Sequence, residues 1–83
     1  MTGNDVAQRG VYRILLSRVP DATLAPDLPL GSDGIGLDSI ALAEVLLECE
    51  DAFGVKLAAE MLGTQNVTVG RLIEYVRTVL ELA

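Results

Sequence analysis

Between Pro20 and Leu37 the chain carries Pro20, Pro26 and Pro29 together with Gly31, Gly34 and Gly36. Proline removes a backbone donor and clashes with the preceding turn, and glycine forfeits the most conformational entropy on ordering. This stretch therefore cannot be the interior of a helix or strand. It predicts a long loop that separates one helical rhythm from the next. A loop of that length in a compact domain needs anchors, and Leu24, Leu28, Leu30, Ile35 and Leu37 recur along it as candidates to pin it to a core. The loop reads as ordered.

On its N-terminal side, a helix is expected to begin after Asn4 or Asp5, either of which can accept from first-turn amides, and to run to about Arg18 before Pro20 stops it. Val11, Tyr12, Leu15 and Val19 follow one buried face, with Arg9 and Arg13 opposite. On the far side, Asp38 or Ser39 opens a second helix that ends near Phe53-Gly54. A short third helix is expected around Ala58 to Leu62, closed by Gly63. A last one is capped by Thr68, with Val69, Leu72, Ile73, Val76, Val79 and Leu80 opposite Arg71, Glu74, Arg77 and Glu81. At 83 residues the chain has room for one core, so residues 1–83 read as a single domain. With Tyr12, Phe53 and Tyr75 as its aromatics, that core must come from Leu, Ile, Val and Ala, which suits an all-α fold.

Charge excludes several functions. Residues 19–55 hold eight acids, Asp21, Asp27, Asp33, Asp38, Glu44, Glu48, Glu50 and Asp51, and no base, within a chain of net charge −6. Such a block repels nucleic acid and anionic lipid and favours a protein partner with a basic patch. Cys49 stands alone and there is no His, which removes an internal disulfide, an ordinary zinc or copper set, and the usual proton acceptor of a nucleophilic serine. Lys56 is the single Lys that could replace that acceptor. Glu44 and Glu48, one turn apart on a solvated face, read as surface charge and not as an acid/base pair. Gly34-Ile35-Gly36 follows no strand, so it is not a phosphate-cradling loop, and the loop acids lack calcium-site spacing. No catalytic or metal-ligating residue emerges. Neither a signal-peptide pattern nor a membrane-spanning apolar run is seen, and the expectation is a cytoplasmic monomer.

Two features of the second helix remain. Its core face is Leu42, Val45, Leu46, Cys49 and Phe53, while Ile40 and Leu47 fall among Glu44, Glu48 and Asp51 on the face that meets water. Single exposed apolar residues are ordinary, but two in line beside acids read as a partner-binding stripe. Ser39 sits in the first turn. Asp38 already fills the capping role, which leaves the Ser39 hydroxyl free to point outward, where the helix dipole and unpaired amides favour a phosphate installed by another enzyme.

Gly36-Leu37-Asp38-Ser39-Ile40 resembles the Gly-x-Asp-Ser-Leu signature of acyl carrier proteins, with Ile40 in place of the leucine. The similarity continues through Glu44, the Glu50, Phe53, Gly54, Val55 ending of the second helix, and Val67-Thr68-Val69-Gly70. The resemblance implies a four-helix bundle with a long first loop and a short third helix, in a free-standing carrier that is not itself an enzyme. It implies a 4′-phosphopantetheine arm moved from coenzyme A onto Ser39 by a phosphopantetheinyl transferase, with Asp38 beside it. Its further partners would be acyltransferases, ketosynthases or ligases with basic patches, met by Ile40, Glu44, Leu47, Glu48 and Asp51. Ala41, Ala58-Ala59 and the length of Leu28 to Gly36 depart from fatty-acid carriers and point to polyketide or other specialised biosynthesis. Free-standing aminoacyl and D-alanyl carriers also use Asp-Ser, and an unmodified helical adaptor is the alternative from another class.

Overall fold

The computed structural model describes residues 4–58 and 67–82. Three α-helices account for most of them: α1 (Asn4–Arg18), α2 (Ser39–Phe53) and α3 (Val69–Leu82). No strand occurs among the described residues, so the fold is all-α, with one isolated antiparallel bridge between Pro29 and Thr68. The short helix expected over Ala58 to Leu62 lies, beyond Ala58, outside the described residues.

The helix ends follow from their residues. Asp38, in an extended conformation, caps α2 by accepting from the Ala41 N–H at 2.8 Å. At the other end Gly54 takes the left-handed conformation, φ 69°, and donates its N–H to the Glu50 carbonyl, satisfying one of the last orphan acceptors. Thr68 caps α3 by accepting from the Arg71 N–H at 3.1 Å. After α1 the chain turns at Pro20, whose ring cannot continue the helix.

Each helix buries one stripe. Ala7, Val11, Ile14 and Leu15 of α1 meet Val45, Leu46 and Cys49 of α2 and Val69, Leu72, Ile73 and Val76 of α3, with Leu30 and Leu57 from the connections. Among the described residues no charged or polar one is buried in this core, in keeping with the high cost of unpaired polar groups. Burying one of its larger aliphatic side chains contributes roughly 1.5–3 kcal/mol. Helix α1 packs on both α2 and α3.

Residues 19–38 run between α1 and α2 without helix, and the backbone itself ties them down. Leu30 N–H donates to the Val67 carbonyl, Val69 N–H to that of Leu28 and Gly70 N–H to that of Pro26, at 2.8–2.9 Å. The connection is thereby bonded to the first turn of α3, and Leu24, Leu28, Ile35 and Leu37 pack half-buried on the core around fully buried Leu30. Ser39 follows directly from it.

Candidate functional site at the start of α2

Two backbone bonds close the end of the connection: Gly36 N–H donates to the Gly31 carbonyl and Leu37 N–H to that of Leu30, both at 2.8 Å. Gly36 has φ 92°, a conformation that a side chain would strain, and a Cβ there would meet nothing within 4 Å. The approach to the helix start is thus open on that side. Half-buried Leu37 then anchors the chain, and exposed Asp38 and Ser39 follow.

Asp38 uses its carboxylate on the Ala41 amide and its carbonyl on the Leu42 amide, at 2.8 and 2.9 Å. Ser39, the first residue of α2, is exposed, and its hydroxyl makes no hydrogen bond among the described residues. With its capping role taken and no base bonded to it, this hydroxyl is an accessible acceptor for a group that another catalyst delivers. A phosphate there would meet the positive end of the α2 dipole and the first-turn amides left without an intrahelical acceptor. The residues present therefore fit a phosphate-linked group. No cluster of three or more potential metal ligands occurs among the described residues.

From Ser39 the exposed face of α2 runs along Ile40, Glu44, Leu47 and Asp51, spaced i, i+4, i+7 and i+11 and hence aligned down one side, with Glu48 at its flank. Ile40 and Leu47 are 71% and 63% exposed, so neither packs on its own molecule. The expected core residues of the helix fall on the opposite side, Val45, Leu46 and Cys49 buried and Leu42 and Phe53 half-buried.

One member of this face is invisible in the sequence. Arg18, the last residue of α1, reaches across to α2 and bridges two of its acids, NH1 to Glu44 Oε1 at 3.0 Å and NH2 to Glu48 Oε2 at 2.9 Å. The hydrogen bond to Glu48, ahead of that to Glu44, raises the pKa of the guanidinium above its ordinary value, against the opposing effect of desolvation. The acidic block, which lacks a base in sequence, thus has one in space. Only the contact of α1 with α2 makes the pair, and residues 26 and 30 positions apart give no local signal of it.

Glu50, counted in the acidic block, makes a bond of its own. Its carboxylate accepts from the Leu57 N–H at 2.7 Å and fastens the turn after α2, so it is a structural acid. Cys49 is buried among core residues, and desolvation, followed by the nearby Glu48 charge, pushes its thiol up to about 11, which makes it inert at neutral pH.

Compared with known families, residues 15–76 match the model described as a phosphopantetheine attachment site. No curated protein and no solved structure matches the chain.

Proposed function

The chain belongs to the family of phosphopantetheine attachment-site domains, which carry a covalently attached 4′-phosphopantetheine group, and we propose that it is a free-standing acyl carrier protein whose arm is borne on Ser39. The observation that carries this reading is the exposed Ser39 hydroxyl, released from capping by the Asp38–Ala41 bond. The arm, once attached, supplies a terminal thiol that holds an acyl group as a thioester. The protein's own part is positional. It offers the Ser39 hydroxyl at a helix start bonded through the connection to α3, with no base bonded to that hydroxyl among the described residues. The proton of Ser39 must therefore leave to the transferase that loads it. Tethering raises the effective concentration of cargo at each partner's active site without any catalysis by the carrier.

In this reading Ile40, Glu44, Leu47, Glu48 and Asp51 are the docking face, with acids steering basic partners and the two exposed apolar residues fixing register. The departures at Ala41 and Ala58-Ala59 favour polyketide or other specialised biosynthesis over fatty-acid synthesis.

Loading tests the reading. Incubated with coenzyme A and a broad-specificity phosphopantetheinyl transferase, the apo protein is expected to gain the mass of one phosphopantetheine, and Ser39→Ala to gain none. Modification that persists in Ser39→Ala, or its absence from the native sequence, would place the chain with unmodified helical adaptors instead.

A further inference from the structure

Of the exposed acids on α2, Glu44 and Glu48 share one base. One guanidinium bonds both, with side-chain exposures of 53% and 44% for the acids against 26% for Arg18. Asp51, further along the same stripe, is exposed and has no salt bridge among the described residues. Two carboxylates against one guanidinium leave −1 beside Leu47, so the face is partly neutralised there and unpaired at Asp51. Arg18 is also not fully satisfied where it sits, because its Nε is buried without a hydrogen-bond partner among the described residues. A buried donor without an acceptor costs free energy, and swinging the side chain into water would relieve it. Ion pairs this exposed are weak and screened, so the clamp is one that an incoming cation can displace.

We infer that Arg18 is a specificity-determining residue of the docking face: an internal competitor for Glu44 and Glu48 that a partner's basic side chain must displace. The inference rests on reading the α2 stripe as the docking surface. It fits a partner that presents a planar, forked guanidinium in place of Arg18, since two carboxylates one helical turn apart suit bidentate pairing better than a point charge does. The competitor also keeps docking weak, because part of each new ion pair replaces an old one. A carrier that must leave as readily as it arrives needs that weakness.

The test is loading kinetics with a broad-specificity phosphopantetheinyl transferase and coenzyme A, on variants shown to be folded by circular dichroism. Arg18→Gln is expected to lower the KM for the carrier about fivefold, leave kcat unchanged and steepen the salt dependence of KM. Arg13→Gln, which changes net charge equally from an exposed position on the far side of α1, is expected to leave KM where it was. An unchanged or raised KM in Arg18→Gln overturns the inference, and so does an equal fall in both variants, which would report net charge alone. The double variant Glu44→Gln, Glu48→Gln separates the two layers. If it fails to raise KM, the docking face itself is misassigned; if it raises KM while Arg18→Gln does not lower it, the competitor alone is refuted.

Discussion

Cys49 turns burial into a readable signal. Its side chain is fully buried, and its thiol is raised from 9.0 to about 11 by desolvation first and the Glu48 charge second. An acid whose pKa is higher folded than unfolded keeps its proton in the native state while the unfolded chain releases it. Stability is therefore untouched below about 9, falls as pH rises from there, and stops changing on this account above about 11. The urea midpoint should drop across that window, and drop less steeply in Cys49→Ala. The same burial makes the protein its own control for loading. Native apo protein is expected to react only slowly with a disulfide reagent at pH 8, whereas the loaded protein shows one fast thiol, that of the arm. A fast thiol in the native apo protein would contradict the burial of Cys49.

The elements show why some features can be read from residues and others cannot. Asp38, Gly54 and Thr68 act on groups within four residues of themselves, so their capping roles are legible in sequence. The buried faces of α2 and α3 are equally legible from spacing, as is the exposure of Ile40 and Leu47 beside Ser39. Arg18 on Glu44 and Glu48, Glu50 on the Leu57 amide, and the Tyr75 hydroxyl accepting from the Ala58 N–H at 2.9 Å depend on where separate segments meet, which no periodicity encodes. Gly70 belongs to the second kind. In the first turn of α3 it costs about 1 kcal/mol relative to alanine by helix propensity, so Gly70→Ala should stabilise the helix if nothing else intervened. A Cβ at that position would lie 2.9 Å from the Pro26 carbonyl oxygen, which the Gly70 N–H itself bonds at 2.8 Å. Backbone cannot rotate aside as a side-chain tip does, so relief must shift Pro26 and strain the bonds tying the connection to α3. Gly70→Ala is expected to destabilise by about 1–2 kcal/mol in urea unfolding. A stability gain would show that the connection yields freely.

At the scale of the whole molecule, charge is expected to act on folding and on the proposed docking with opposite signs. The chain carries −6 within extents of 31 × 26 × 19 Å. The Debye length is about 30 Å at 0.01 M salt and about 8 Å at 0.15 M, so at low salt most acids of the block repel one another across the molecule, and at physiological salt only neighbours do. Unfolding spreads the same charges over a larger volume, and screening therefore favours the folded state. Arg18 opposes this, since salt weakens its bridges to Glu44 and Glu48, but exposed pairs are worth too little to reverse a repulsion shared by eight acids. A gain of about 1 kcal/mol corresponds to about 4–8 °C for a domain of this size. The melting temperature is accordingly expected to rise by about that much between 0.01 and 0.15 M sodium chloride, while the KM for a basic transferase rises over the same interval as steering is screened. Calorimetry and loading kinetics in matched buffers measure both. A melting temperature that stays flat or falls would mean that local pairs, and not the acidic block, dominate the electrostatics of the fold, and a KM that stays flat would take from the face from Ile40 to Asp51 its claim to steer partners by charge.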